Sequence, residues 1–337
     1  MALWAVSGGS GFLGLRLAGH LRAQGLPVRT LDLEPLDEPG IDVLVGDIRR
    51  ERDAAALCEA ADVLVHAAAA LPARRTEIRS VNVDGTATLL AAAVQAHVRR
   101  VVFLSSAVIY GLPWQTPVPE HAAPRPFEAY GRSKLEAEAV CAELGGQGLE
   151  TVVLRPTSFV GPGRLGVFGI LFDWIRESRR VYTLGPGTNR YQLLDLDDLV
   201  AAVLLAAERP VAGRTFNLGA TRFGTVAEDL RALCEHAGSS SRVTPIPAVP
   251  ARLGLRALEA ARLSPLSEWH YRTADRDFVV DVSRACAELG WAPERSNREA
   301  LVRAYDSYLE RRVDAPQGRT HRTRWGEGML AALRRLS

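Results

Sequence analysis

The chain has 337 residues, too long for one small domain and enough for two lobes that share a core. A hydrophobic fraction of 47% and a charged fraction of 24% exclude a disordered, collagen-like or disulfide-scaffold chain. The net charge of +2 gives no reason to expect nucleic acid as a partner.

In chain order, residues 3–7 predict a strand, residues 8–14 a glycine-rich turn, and a helix follows to about residue 24. Strands are predicted at 28–32, 41–45, 63–66, 101–105 and 151–154, with helices at 53–60, 81–96 and 130–144 between them. This alternation predicts an α/β fold, a doubly wound parallel sheet with helices on both faces. Beyond residue 155 the pattern loosens. Gly161-Pro-Gly163 and Gly185-Pro-Gly187 mark loops, a helix is predicted at 197–208 and a short strand at 214–218. Thr225 to Glu228 reads as a capping box, residues 243–250 as a proline-rich link, and the remainder as helical. Residues 311–337 carry seven arginines against Asp314 and Glu327, which predicts a solvated or subunit-packing end with a short amphipathic helix at 327–336.

The longest uncharged apolar run, residues 199–207, is half of what a membrane span needs, and the N-terminus has no basic region of a signal peptide. Cys58, Cys141, Cys234 and Cys286 lie far apart with no C-x-x-C spacing, so they are expected to be reduced thiols of a cytoplasmic protein. The histidines are isolated, so no metal is expected, and His66 is expected to be a packed strand-end residue.

Gly9-Ser-Gly11-Phe-Leu-Gly14 lies between a predicted strand and a predicted helix, as does the overlapping Gly8-x-x-Gly11-x-x-Gly14. Glycines there let a pyrophosphate approach the backbone, and the helix start offers free N–H groups and a positive dipole end. Gly8, Gly11, Phe12, Leu13 and Gly14 are therefore predicted to hold a dinucleotide. Eighteen residues past Gly14, Asp32 is placed to accept from both ribose hydroxyls and to repel the extra phosphate of NADP, which favours NAD. Asp47, with Ile48 beside it, is placed to meet the adenine edge.

The chain has 41 basic residues, and Lys134 is its only lysine. It stands four residues after Tyr130, on one helical face. A cation there is expected to lower the phenol's pKa so that Tyr130 exchanges a proton with a substrate oxygen. Ser105 and Ser106 close a predicted strand, and ligands bind at the carboxyl ends of parallel strands, so Ser106 is placed to hold that oxygen.

Taken together these residues resemble the extended short-chain dehydrogenase/reductases, the NAD-dependent epimerase/dehydratase family. The resemblance runs from about residue 3 to 310 through Ser7 to Gly14, Gly46-Asp-Ile48, His66-Ala-Ala-Ala69, Val81-Asn-Val-Asp-Gly-Thr86, Ser105 to Gly111, Tyr130-Gly-Arg-Ser-Lys134, Arg155-Pro156 and Asp281-Val-Ser-Arg284. It implies a Rossmann domain over residues 1–155, with segments near 190–220 returning to it. It also implies a substrate lobe over 156–190 and 220–312, a basic tail from 313, and commonly a homodimer. Ser106, Tyr130 and Lys134 would be catalytic; Ala67, Ala68, Ser105, Pro156 and Thr157 would join the cofactor site.

Two departures narrow the chemistry. Dehydratases resembling this chain carry an acidic pair where Ala107 and Val108 stand, which sets water elimination aside. Nucleotide-sugar members carry a diphosphate-binding arginine where Tyr191 stands; Arg190 is one residue early, and such a slip turns a side chain to the other face of a strand. Ser106, Ala107, Arg164, Arg190 and Tyr191 are the candidate substrate contacts. The leading expectation is an epimerase of a sugar or nucleotide sugar. The alternatives are a ketoreductase resembling the hydroxysteroid dehydrogenases, and a non-catalytic NAD-binding regulator.

Overall fold

The computed structural model describes residues 2–71, 76–311, 320–323, 325–331 and 334. Its strands are β1 (Trp4–Ser7), β2 (Val28–Asp32), β3 (Asp42–Val45), β4 (Val63–His66), β5 (Arg100–Leu104), β6 (Glu150–Pro156), β7 (Ser158–Val160), β8 (Val181–Leu184), β9 (Leu193–Asp195), β10 (Thr215–Leu218) and β11 (Val243–Ile246). Seven of them form one parallel sheet in the order β10-β6-β5-β4-β1-β2-β3. Both faces of this sheet are covered, which is why its strands read as nearly continuous apolar runs. The period-2 alternation of a strand sorts them. Trp4, Val6, Val102, Leu104, Val152 and Leu154 enter one core cluster, while Ala5, Val101, Phe103 and Val153 enter the other.

Helices α1 (Phe12–Ala23), α2 (Glu51–Cys58), α3 (Gly85–Gln95), α4 (Ala129–Gly145), α5 (Val167–Arg176) and α6 (Leu196–Glu208) follow in the first two thirds of the chain. The first is uncharged at its buried positions Phe12, Leu13, Leu17, Ala18 and Leu21, and it packs with α6 over one face of the sheet. The helix expected at 81–96 begins as a wider π turn over Ser80–Asp84. Within that turn Asn82 is buried, bonded to Ala70 through both its amide atoms and to the Ser133 hydroxyl at 2.9 Å.

Strand order reverses between β1 and β4, where crevices form at strand ends in such sheets. Ser7 and His66 face each other in register there. Thr86 Oγ1 donates to the Asn82 carbonyl at 2.7 Å, so it accepts from His66 Nε2–H at 2.8 Å. His66 Nδ1 therefore accepts from the Ser7 hydroxyl at 2.7 Å. A neutral ring satisfies every partner, and burial, followed by the Lys134 charge, pulls its pKa down to about 3. The folded value lies below the unfolded one near 6.5, so the unfolded state binds the extra proton between these limits. Stability is thus expected to fall as pH drops below about 6.5, with a slope from this group of up to ~1.4 kcal/mol per pH unit. Melting curves between pH 7 and 5 for the wild type and His66→Gln test this: the variant should show a flatter slope whatever its absolute stability, and an unchanged slope would refute the assignment.

The remaining helices are α7 (Val226–His236), α8 (Ala248–Ala260), α9 (Glu268–Thr273) and α10 (Asn297–Arg311). The capping box expected at Thr225 and Glu228 opens α7. The stretch 243–250 is not a plain link: β11 pairs in parallel with β8, placing Val243 and Ile246 opposite Val181 and Leu184, and α8 starts at Ala248. Pro245 sits in this two-stranded ribbon, where a missing N–H is tolerated at an edge. Strands β7 and β9 form a second small parallel pair.

The C-terminal segment departs most from expectation. Its described part is not a solvated end. Leu165 N–H donates to the His321 carbonyl at 2.8 Å, Gly166 N–H to Thr323 at 3.1 Å, and Met329 N–H to Leu263 at 2.9 Å. Arg322 Nη1 donates to the Ser10 carbonyl in the glycine loop at 2.5 Å. The amphipathic helix expected at 327–336 falls partly outside the described residues; Leu330, Ala331 and Arg334 are helical.

Candidate active site

The glycine loop is shaped by contacts that tolerate no side chain. A Cβ on Gly14 would sit 2.0 Å from the Gly8 carbonyl oxygen, and one on Gly8 (φ +78°) would sit 2.7 Å from the Ala68 nitrogen. Ala67 and Ala68 therefore flank the loop. Gly11 caps α1 without a side-chain bond, and the first turn carries no acidic residue, so its leading N–H groups and dipole are open to an anion. Phe12 and Leu13 are buried beneath. Asp32 ends β2, where its carboxylate accepts from Ser10 N–H at 3.1 Å and Glu34 N–H at 3.3 Å. Burial nevertheless pushes its pKa up. Thr157 Oγ1 is buried with no hydrogen-bond partner among the described residues, and Thr157 and Pro156 line the central cavity. An open helix start, a collarless glycine turn, a ribose-level carboxylate and an unsatisfied hydroxyl fit NAD.

Asp32→Ala is expected to relax the choice of cofactor. Removing the carboxylate removes the repulsion of a 2′-phosphate and the ribose acceptor together. The ratio of NADH to NADPH affinity should fall by at least about tenfold, or ~1.4 kcal/mol; an unchanged ratio would place discrimination elsewhere.

Asp47 is drawn to Arg49 at 2.6 Å, and that guanidinium holds its carboxyl below the usual range. Ile48 is buried in the core under Gly85. Ser105 lines the same cavity and donates its hydroxyl to Glu138.

Ser106 lies two residues beyond β5 and caps a short 3-10 turn over Ala107–Tyr110, accepting from Val108 N–H at 3.4 Å. Tyr130 stands in the first turn of α4 and Lys134 one turn later. Lys134 is buried, donates to the Leu104 carbonyl at 2.7 Å, and lies 6.0 Å from the Tyr130 ring centroid. Ser106, Ala107 and Tyr130 line a cavity of about 750 Å³ together with Arg164, Trp269 and His270.

The expected depression of the Tyr130 pKa does not appear. Burial pushes the phenol up, the Glu128 carboxyl adds to this, and Arg164 is the cation that opposes it. Lys134 is itself pulled down to about 8 by burial. These neighbours favour the neutral phenol.

Two expected substrate contacts are corrected. Arg190 is exposed, its guanidinium 3.7 Å from Asp277 and its backbone N–H on the same carboxylate, and it does not line the cavity. Tyr191 points inward but stands behind the wall. Its hydroxyl accepts from Trp269 Nε1 at 3.0 Å and lies 3.3 Å from Ser158 Oγ, and its ring stacks on Phe278. The one-residue slip puts the charged residue outside and the phenol inside, although the two lie outside any strand, with Tyr191 in an isolated bridge to Phe278.

Sequence reasoning missed Glu128, His321 and Trp325, all on the cavity wall. Glu128 sits two residues before Tyr130, and burial, then Glu268, lifts its pKa to about 7. Its place before a predicted helix was the available signal. His321 and Trp325 reach the site only through long-range packing of a segment some 190 residues from Tyr130.

Residues 4–219 match the model of the NAD dependent epimerase/dehydratase family. The chain is 30% identical to 4-hydroxy-2-methyl-3-oxo-4-farnesyl-3,4-dihydroquinoline-1-oxide ketoreductase of Stigmatella aurantiaca, over 88% of this chain and 93% of that one. It is 32% identical to dTDP-6-deoxy-L-talose 4-dehydrogenase (NAD(P)(+)) of Kitasatospora kifunensis, over 88% and 92%. Its fold matches that of UDP-glucose 4-epimerase from Thermotoga maritima with a TM-score of 0.78, covering 92% of this chain and 99% of that one at 23% identity. With the cradle and the Ser106, Tyr130 and Lys134 constellation already in place, the chain belongs to the NAD-dependent epimerase/dehydratase family, as an NAD-dependent oxidoreductase or epimerase of the extended short-chain dehydrogenase/reductase type.

Proposed function

We propose that this protein is an NAD(H)-dependent ketoreductase, interconverting a ketone and a secondary alcohol on a substrate that is not a nucleotide sugar. The observation that carries this reading is the exchange at 190–191: the charged residue faces solvent and Asp277, and the inward position holds a phenol that braces Trp269. No arginine is thereby offered to a diphosphate at that place. The lining adds the apolar surface of Phe159, Val167, Leu263, Pro265, Leu266 and Trp325 beside polar groups such as Glu128 and Arg164. The two relatives named above that share 30% identity or more are a ketoreductase and a dehydrogenase by name, which supports net oxidation or reduction over epimerisation.

Bound NAD supplies the hydride donor or acceptor. Ser106 holds the reacting oxygen just beyond the end of β5, where its Oγ is free to donate once it meets a carbonyl. Tyr130 gives that oxygen its proton during reduction and takes it back during oxidation. Lys134, fixed on the Leu104 carbonyl, positions the Tyr130 ring from behind.

The test is an assay of nicotinamide absorbance with NADH and a panel of aliphatic, aromatic and steroidal ketones, run beside UDP-, dTDP- and GDP-sugars. Net NADH consumption with a non-nucleotide ketone supports the proposal. Conversion of a nucleotide sugar to its epimer with no net change in NADH would replace it with the epimerase reading.

A further inference from the structure

One buried charge in the cavity has no hydrogen-bond or ion-pair partner among the described residues. Arg164 is 6% exposed, in the loop between β7 and α5. Its Nε and Nη1 atoms are buried without a hydrogen-bond partner, and no ion pair reaches it among the described residues. Elsewhere the buried arginines are paired: Arg155 with Glu138 and Arg100 with Glu150. Arg164 instead faces the rings of Phe12, Phe159 and Phe168 at 5.4–5.7 Å. Ring faces recover part of the cost of burying a cation, but they leave the in-plane N–H fork unused. Removing a guanidinium from water without a partner costs several kcal/mol. A chain that keeps one in a cavity keeps it for a ligand.

Two further donors reach the same space from separate elements. His270 of α9 accepts the Ser267 N–H at Nδ1 (3.1 Å), so its neutral ring carries its proton on Nε2. His321 of the C-terminal segment packs edge-on against Phe159, the ring that also carries Arg164, and its Nδ1 is buried with no partner. All three residues line the same cavity, and burial, then the Arg164 charge, lowers the pKa of both rings. Glu128, an acidic group on the same cavity wall, does not pair with Arg164.

We propose that Arg164, flanked by His270 and His321, is a docking point for a carboxylate or phosphate of the substrate in the cavity of Ser106 and Tyr130. Rigid planar donors of this kind select two-oxygen anions. The substrate is then a ketone or secondary alcohol bearing an oxyanion near the reacting carbon, with the C-terminal segment completing its site. This rests on the ketoreductase reading for the chemistry at Tyr130, but not for the anion itself. The cofactor's diphosphate is the other source of the same chemistry. It already has the open start of α1, with Arg322 beside the loop at Ser10.

The test uses the full chain and needs no turnover, so it is separate from the test of the ketoreductase reading. Inorganic phosphate and acetate are titrated into the NADH-loaded wild type, Arg164→Met and His321→Phe by calorimetry, and NADH affinity and apo melting temperature are measured for each. The wild type should bind at least one anion in the millimolar range. Arg164→Met should weaken it at least about tenfold and His321→Phe several-fold, with NADH affinity within about twofold and the melting temperature of Arg164→Met equal or higher, since an unpaired buried charge is gone. The proposal is overturned by no anion binding in the wild type, by unchanged binding in Arg164→Met, or by a tenfold loss of NADH affinity, which would assign the anion to the cofactor. A melting temperature several degrees lower in Arg164→Met would overturn it too, by making the guanidinium structural.

Discussion

Replacing Tyr130 with phenylalanine is expected to lower kcat by about 10²–10⁴-fold while leaving NADH affinity within about twofold, because positioned proton transfer supplies a factor of that size. The substitution removes one oxygen and keeps the ring, so the packing around it is retained. That ring is flanked by the Lys134 ammonium behind and lies among the walls of the same cavity as Ser106. The phenol's raised pKa, set by burial and then Glu128, leaves it protonated across the neutral range. The step lost is therefore donation to a carbonyl oxygen, and the reductive direction should suffer at every pH near neutrality. Once the assay has supplied a substrate, steady-state kinetics of Tyr130→Phe decides the matter. A kcat within tenfold of the wild type would move the proton donor to another residue, and Glu128, with a pKa near 7, would be the next to replace.

Much of this site was legible in the sequence because its parts are local. The glycine turn, Asp32 at a strand end, and Tyr130 with Lys134 one helical turn apart are each defined by spacing along one element. The sheet was legible for the same reason, since buried parallel strands are short apolar runs. What escaped was set by distant contacts. Strands β7, β8, β9 and β11 are three or four residues each and pair only with one another, so they lack a periodicity to read. The pKa of Tyr130 depends on which charges the fold brings near, and there the cation is Arg164, 34 residues away in the chain, rather than its helical neighbour. The basic tail reads as solvated by composition, yet His321, Trp325 and Gly328 line the cavity. Arg190 against Tyr191 is the intermediate case: the slip was visible, and only the structure shows which side each residue takes.

The largest loss of stability is expected from Arg155→Met. Arg155 and Glu138 are each about nine-tenths buried at the side chain and meet through two bonds, at 2.6 and 2.9 Å. Arg155 also donates to the Tyr110 hydroxyl at 2.8 Å and the Glu120 carbonyl at 3.0 Å, and Tyr110 passes the chain on to Asn217 at 2.8 Å. Methionine fills much of the volume but leaves the Glu138 carboxylate buried with the Ser105 hydroxyl alone. Breaking a buried pair in this way costs about 3–5 kcal/mol, against a neutral or small effect when both charges are removed. The melting temperature of Arg155→Met should fall by roughly 4–7 °C, and Arg155→Met/Glu138→Leu should regain most of it. A single variant within about 2 °C of the wild type would show that the pair is solvated and adds little. The network also joins the two strand ends that carry the site, since Ser105 and Ser106 directly follow β5, and Arg155 and Pro156 close β6 ahead of Thr157. The double variant, if it refolds fully, should therefore still turn over more slowly than the wild type, because leucine and methionine refill the space without tying Ser105 to β6. Full activity in that variant would confine the pair to stability and leave the placement of Ser106 to the backbone bond from Ser105 N–H to the Leu154 carbonyl.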